Sequence, residues 1–463
     1  MDKRERYRKQ MVETKVAPLV VKLGIPTTIS MLITNIYNLV DTYFVGTLGV
    51  SQQGATGILF TLQAILQAFA FMLGHGAGTH MTRLLAMGKK EEATSYACNA
   101  FYLGLAIGTL LLVFGLLFLA PFMVFLGSSP TILPYAKEYG FWVLVSGPFF
   151  IASLVLSIFL RYEGKANIAM VGIIAGALLN VFGDYLFIVR LDMGVYGAGL
   201  STAISQFVSF VIMLIGYIKM GQVSLNPKNI NFKGRVYGNI LIAGLPSMLR
   251  QGMASISGGV LNNIAKPFGD AALAAMSVVT RYSNFVMCIG LGVGQGLQPV
   301  SAYNYAVKRY DRVREGIIFT IVFSSAVVAV ISLFTLIFPS VIVSWFNPDE
   351  EVIELGSMAL RFAAISLFFT PASMVTAITL QSVRKAWSSS FLSLLRNGLA
   401  FVPVIFLLVY GFGLGYTGVA LSQPIADVLT FLISTPFLIL FIKELAKLEK
   451  EEAAKARNSE EEE

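Results

Sequence analysis

Twelve stretches of this chain are each apolar for about 20 residues or more, which limits its folding more than any other feature. They run 18–46, 54–78, 94–120, 136–160, 166–190, 195–218, 238–265, 271–300, 315–342, 355–381, 387–411 and 416–442. A helix of about 20 apolar residues crosses a hydrocarbon core. Lipid offers backbone groups no partners, so each run must satisfy its own hydrogen bonds as an α-helix; the continuous alternation of a membrane barrel is absent. Only 13% of the 463 residues are charged, about half the usual share of a soluble domain.

Basic residues set the expected orientation. With a cytoplasmic N-terminus, the inner loops hold Arg83, Lys89, Lys90, Arg161, Lys165, Lys219, Lys228, Lys233, Arg235, Lys308, Arg309, Arg312, Arg314, Arg384 and Lys385. The outer loops hold only Lys137, Arg190 and Lys266. That bias predicts a multi-pass cell-membrane protein with both termini cytoplasmic. It also accounts for the net charge of +8, which suits anionic membrane lipids rather than nucleic acid. The start of the chain has no cleavable signal pattern. Cys98 and Cys288 are the only cysteines, each in a predicted helix, so neither a structural disulfide nor a Cys/His metal site is expected.

The chain also states one pattern twice. Gly24-Ile25-Pro26 returns as Gly244-Leu245-Pro246, and the same shift of 220 carries Gly74 and Gly76 onto Gly294 and Gly296, and Lys165-Ala166 onto Lys385-Ala386. Six spans per half return the chain to its starting side, so the repeats are expected to be parallel and related by a pseudo-twofold axis along the membrane normal. The predicted fold is all-α and polytopic: 12 transmembrane helices in two six-helix bundles. The expected divisions are a basic N-terminus (1–17), a first lobe (18–218), a linker (219–237), a second lobe (238–442) and a charged tail (443–463), read as a frayed helix ending in disordered acidic residues.

Charges inside a bilayer cost at least about 2.5–3.5 kcal/mol each at a helix centre, so those present are candidates for function. Asp41 is about 8 Å from the outer end of its helix, Asp184 about 9 Å and Thr202 about 10 Å, at 1.5 Å per residue. Asn180 precedes Asp184 by four positions and shares its face. Four oxygen-bearing side chains from three helices are thus expected to meet in the outer half of the first bundle. Two carboxylates in low dielectric cannot both stay ionised cheaply: one holds a proton, or a small hard cation such as Na⁺ neutralises them with the amide and hydroxyl oxygens completing its shell. A purely structural role in joining the helices is the alternative.

The second half does not repeat this chemistry, for the 220 shift replaces Asp41, Asn180 and Asp184 by Leu261, Ala400 and Val404. Its interior has Arg250, Arg281, Arg396 and Asp427. Arg396 and Asp427 fall at similar depth on adjacent helices and are expected to form a structural ion pair. Tyr37 and Asn38 extend a polar stripe toward Asp41, Gln63 and Gln67 share a face, and Met276 and Met287 offer adaptable apolar surface. These residues, with Arg281, are candidates for a substrate cavity. His75 and His80 do not share a face and are read as packing residues.

At these residues the chain resembles the multidrug and toxic compound extrusion (MATE) family. The motifs are GIPTTISMLITNIYNLVDTYFVGTLG at 24–49, GHGAGTHMTRLLAMGKKEEA at 74–93, LRYEGKANIAMVGIIAGALLNVFGDYLFI at 160–188, GAGLSTAISQ at 197–206 and GVGQGLQPVSAYNYAVKRYDRVRE at 292–315. In order and with the duplication they are specific, and the pattern looks most like the bacterial MepA-type branch. The resemblance implies a V-shaped pair of six-helix bundles that exports small amphiphilic, mainly cationic organic compounds by alternating access. It also implies Na⁺ or H⁺ as coupling ion; no other cofactor is expected, and the chain is expected to be a monomer. It maps an acidic coupling site onto Asp41, Asn180, Asp184 and Thr202. A flippase for lipid-linked saccharides or other polar lipids is the alternative. No nucleophile–base set or phosphate loop suggests an enzyme, and no charged rings suggest a channel.

Overall fold

The computed structural model describes residues 3–461, and no strand occurs among them. The helices are α1 (Lys3–Val12), α2 (Val16–Gly46), α3 (Val50–Ala86), α4 (Lys90–Leu117), α5 (Leu119–Phe125), α6 (Leu133–Tyr162), α7 (Ala166–Asp184), α8 (Gly194–Met220) and α9 (Gly234–Ala265). The series continues with α10 (Asp270–Ala306), α11 (Tyr310–Ile337), α12 (Pro339–Ser344), α13 (Glu350–Leu367), α14 (Thr370–Ser382), α15 (Ala386–Leu394), α16 (Phe401–Phe406) and α17 (Gly415–Glu461). Single π-helical turns interrupt the fifth span of each repeat: Tyr185–Arg190 after α7, and Leu395–Ala400 and Leu407–Gly411 on either side of α16.

Ten of these segments are long and apolar enough to cross a membrane. A pair, α13 and α14, makes an eleventh bent by 50°. The bend falls where Pro371 opens α14, because proline has no N–H to continue the preceding helix. The twelfth is α9, whose 32 residues span about 48 Å but whose apolar character is diluted by Arg250, Gln251, Asn262 and Asn263. Polar residues within the spans are hidden locally. In α2 the hydroxyls of Thr27, Thr28, Thr34 and Thr42 each donate to the carbonyl one turn earlier, at 2.8–3.0 Å, so they need no partner from lipid.

The chain packs into two compact units. Unit 1 comprises Met1–Arg8 and Ile29–Gln251; unit 2 comprises Lys9–Thr28 and Gly252–Glu463. Each repeat's opening helix is therefore divided, the first part of α2 packing in unit 2 and the first part of α9 in unit 1. The duplicated glycines explain how. In unit 1 a Cβ on Gly244 would lie 1.8 Å from the Met72 carbonyl oxygen, and one on Gly76 2.0 Å from that of Ile240. In unit 2 a Cβ on Gly24 would lie 2.9 Å from Val293 Cα, and one on Gly296 2.5 Å from the Gly24 nitrogen. Only residues without side chains let these backbones touch, as small residues do at membrane helix crossings.

The tail differs from its expected frayed form. Helix α17 continues without a break to Glu461, because its acids find basic partners on unit 2: Glu444 with Lys385, Glu449 with Arg314 at 3.4 Å, and Glu452 with Lys308 at 3.1 Å. Leu445 is fully buried beneath it. Residues 462–463 lie outside the described residues. The linker is fastened too. Asn99 on α4 donates to the Asn231 carbonyl at 2.6 Å and accepts from its N–H at 2.8 Å, while Tyr102 donates to the Leu225 carbonyl at 2.9 Å.

Candidate functional site: an acidic pocket in unit 1

Helices α7 and α8 approach closely because α7 presents Gly172, Gly176 and Gly183 to Met213, Ser209 and Ser201. That glycine face brings Asn180 against α8: its Nδ2 is 3.4 Å from both Ser201 Oγ and Thr202 Oγ1, and Ser201 Oγ donates to the Asn180 carbonyl at 2.9 Å. Asp184 lies one turn further on, at the last residue before the π-turn. Helix α2 supplies Asp41. Helix α6 supplies Tyr139, whose hydroxyl is 3.1 and 3.0 Å from the two Asp41 oxygens and 3.2 Å from Thr202 Oγ1. Asp41 and Ser201 face Asp184, as does Tyr139. Tyr37 faces both carboxylates and pairs with Gln206.

The pocket is buried and under-satisfied. Asp184 is 0% exposed and Asn180 2%; Asp41 is half-buried. Both Asp184 oxygens and Asn180 Oδ1 are buried without a hydrogen-bond donor. Buried polar atoms nearly always have a partner, so three such oxygens together make a place where positive charge is stabilised. Among the described residues, no Lys or Arg faces either carboxylate. The donor set is two carboxylates, an amide and hydroxyls, all hard oxygens, which suits a proton or an alkali cation rather than a soft metal.

The four residues expected to meet do so. The structure adds Tyr139, Ser201 and Gln206, which sequence reasoning missed; Tyr139 sits among Lys137, Glu138 and Trp142, where an aromatic reads as part of an interfacial belt. The other candidates are dispersed. Asn38, half-buried, lies one turn before Asp41. Gln67 accepts from Gln251 Nε2 at 2.9 Å, tying α3 to α9, and Gln63 is half-buried a turn away. In unit 2, Met276 is buried and Arg281 exposed, while Met287 packs with Tyr282 and Ile331 on Val286, Val328 and Leu367.

Arg396 and Asp427 form an ion pair: Nε to Oδ1 is 2.7 Å and Nη2 to Oδ2 is 3.3 Å. Gln423 Nε2 and Ser366 Oγ also donate to the carboxylate, at 2.9 and 3.3 Å. Arg250 does not join them, because its part of α9 packs in unit 1. His80 stacks on Tyr96 with ring centroids 4.7 Å apart. In the turn between α6 and α7, Glu163 is buried, and burial holds its carboxyl above the ordinary glutamate range. Lys165, the Gln222 N–H and the Tyr217 hydroxyl pull the other way.

Six-helix units built from a duplicated sequence, with an internal pocket of carboxylates, define a polytopic repeat-built membrane protein of the transporter class. The chain belongs to the MatE family, whose model matches residues 26–186 and again 246–407. The multidrug export protein MepA of Staphylococcus haemolyticus is 28% identical over 434 residues, covering 93% of this chain and 94% of its own. MepA of Staphylococcus aureus is 29% identical over 426 residues, covering 90% and 92%. Among solved structures, an outward-facing multidrug resistance MATE transporter superposes with a TM-score of 0.88 at 24% identity, covering 94% of this chain and 98% of its own. A variant of a Vibrio cholerae MATE transporter gives 0.87 at 20% identity, with the same coverage. These likenesses establish the fold.

Proposed function

We propose that this protein is a secondary active multidrug antiporter of the cell membrane, both termini cytoplasmic, exporting amphiphilic and mainly cationic organic compounds in exchange for Na⁺ or H⁺. The observation that carries the reading is Asp184, fully buried beside Asp41 and Ser201, with neither carboxylate oxygen in good hydrogen-bonding geometry with a donor. The names of the MepA relatives support export of drugs. A cation entering the pocket neutralises the carboxylates and removes the cost of their burial. The helices α2, α7 and α8 then repack, and the affinity for cargo falls. Such exchange requires each ligand to prefer a different state of the protein. Each charge moved across 100 mV supplies about 2.3 kcal/mol.

The flippase alternative would rely on three arginines of the second repeat, Arg250, Arg281 and Arg396, to hold a polar headgroup. Arg396 is held by Asp427 and Arg250 packs in unit 1, so the three do not act as one basic group. The test is export of a fluorescent cationic dye from reconstituted vesicles, with Na⁺ and pH gradients imposed separately. One gradient is expected to drive uphill export, and Asp41→Asn and Asp184→Asn to abolish it while the protein still inserts. Uphill export surviving both substitutions removes the pocket from the mechanism.

A further inference from the structure

The linker between the repeats leaves its one phenylalanine uncovered. Phe232 is 84% exposed, more than any other large apolar side chain among the described residues, whereas the linker valines Val223 and Val236 are buried. Its position is fixed all the same. Asn231 before it is clasped to Asn99 through both backbone groups, and the Asn231 side-chain oxygen accepts from the N–H of Lys233 after it at 3.0 Å. A ring held outward from a fastened backbone forgoes the gain of burial unless something outside the chain covers it.

The level of the ring follows from α4. Ala106, Leu110, Val113 and Leu117 form an exposed apolar stripe at helical spacing, which faces lipid. The stripe continues toward the start of α4 through Tyr102 and Asn99, and there the linker lies on it: Tyr102 donates to the Leu225 carbonyl and Asn99 holds Asn231. A hydrocarbon core of about 30 Å, counted back from Leu117, takes about 20 residues of helix and ends level with Ala97. The linker therefore runs along the lipid-facing side of α4 at one edge of the hydrocarbon, where the headgroups begin.

The charge of the segment fits that layer. Lys228, Lys233 and Arg235 are all exposed, and no Asp or Glu occurs between Asp192 and Asp270. On unit 2, by contrast, Lys385, Arg314 and Lys308 meet the acids of the tail. A fixed aromatic ring among basic side chains, at the depth of the headgroups, is the complement of an anionic leaflet. The ring enters between the lipids and the cations hold their phosphates.

We infer that Phe232, Lys228, Lys233 and Arg235 form a membrane-docking surface that binds anionic phospholipids. It stands apart from the export reading and is tested without a gradient. Phe232→Trp is made in the full-length chain carrying Trp142→Phe, Trp345→Phe and Trp387→Phe, which leaves one indole. The protein is placed in vesicles of equal parts phosphatidylcholine and phosphatidylglycerol, with bromine on one lipid or the other, near the headgroup or near the chain ends. Bromine near the headgroup is expected to quench the indole more than bromine at the chain ends, and brominated phosphatidylglycerol more than brominated phosphatidylcholine. Replacing Lys228, Lys233 and Arg235 together by Gln should lower the relative affinity for phosphatidylglycerol read from that quenching at least about fivefold, the worth of one basic residue at a charged leaflet. Lys266→Gln, at the other end of α9, should leave it unchanged.

An indole quenched by aqueous iodide as fully as free tryptophan, and by neither lipid, overturns the inference. So does one shielded from iodide and bromine alike, which marks a protein partner, or equal quenching by the two lipids that the triple substitution does not alter. A second measurement needs no tryptophan-free chain: a fluorescent phosphatidylglycerol titrated onto the purified full-length protein in neutral detergent. Phe232→Ala and the triple glutamine variant should each bind it at least about fivefold more weakly than the wild type, and equal binding by all three proteins overturns the inference.

Discussion

The ion pair of unit 2 allows the sharpest energetic test. Asp427 is 2% exposed and Arg396 14%, and the carboxylate takes four hydrogen bonds, two from the guanidinium and one each from Gln423 and Ser366. Asp427→Leu leaves a guanidinium in a nearly dry site and is expected to cost about 3–5 kcal/mol. Arg396→Met leaves Asp427 with its Gln423 and Ser366 donors, and should fall toward the lower end of that range. The double variant removes both charges. Ser366 keeps its bond to the Ala363 carbonyl at 3.0 Å, so the Gln423 amide alone loses its acceptor, at a cost of about 1 kcal/mol. The expected coupling between the sites, the two single losses less the double, is thus about 5 kcal/mol or more.

At roughly 2–4 °C per kcal/mol for a unit of about 200 residues, the single variants should melt about 6–20 °C below the wild type. The double should melt within about 4 °C of it. The assay is thermal unfolding of the purified protein in one detergent at one scan rate, since melting of such proteins is irreversible and rate-dependent. If Asp427→Leu melts within about 2 °C of the wild type, or the two losses simply add in the double, the pair is not what holds α13, α17 and the π-turn together. Export by a stable double variant would further show that the pair has no part in transport.

Gly244→Ala puts a methyl group 1.8 Å from the Met72 carbonyl oxygen, a backbone collision at or beyond the about 1–3 kcal/mol usual for overpacking. It should sharply lower the yield of monodisperse protein, whereas Gly252→Ala, which meets open space, should not; equal yields would refute the close crossing of α3 and α9. Asn99→Ala removes both bonds to Asn231 and should free the linker, so that buried Cys98, which donates to the Ser224 carbonyl at 3.2 Å, reacts with maleimide at least about tenfold faster; an unchanged rate means the linker is held by other contacts. Because burial raises the folded-state value of Glu163, the folded protein binds this proton more readily than the unfolded chain. Its contribution to stability is full below the ordinary glutamate value of 4.5 and is lost as pH rises through the raised one. Glu163→Gln should flatten that decline in a pH series of melting temperatures, and an identical slope would exclude Glu163 as its source.

Counting depth along separate helices was enough to bring Asp41, Asn180, Asp184 and Thr202 together, since rise per residue and bilayer thickness are both nearly fixed. The same counting could not find Tyr139, because choosing among the rings near an outer helix end needs rotation about the helix axis as well as depth. Nor could it place Arg250. Position in the second repeat suggested the company of Arg281 and Arg396, but α9 divides its packing, and the glycine contacts that decide this join segments about 170 residues apart. The tail misled for a related reason. Its composition is that of a solvated segment, and its helix persists because Lys385, Arg314 and Lys308, distant in sequence, face it.

The π-turns bear on how the electrical difference between the repeats arose. One follows Asp184 at Tyr185–Arg190, and its counterpart in the second repeat, Leu407–Gly411, follows no carboxylate. Since the 220 shift puts Val404 where Asp184 stands, the turn cannot exist for the sake of the charge; it belongs to the shared backbone. The second repeat has its own additional turn, Leu395–Ala400, and Arg396 lies within it. A π-turn redirects side chains that a regular helix would turn elsewhere, and this one directs Arg396 onto Asp427. In unit 2 the buried carboxylate is thereby neutralised from within, by a covalently attached cation. Among the described residues no Lys or Arg faces Asp41 or Asp184, so under the exchange reading their neutralising charge arrives from outside the chain. That difference, rather than the number of buried acids, is what the proposed ion exchange in unit 1 draws on.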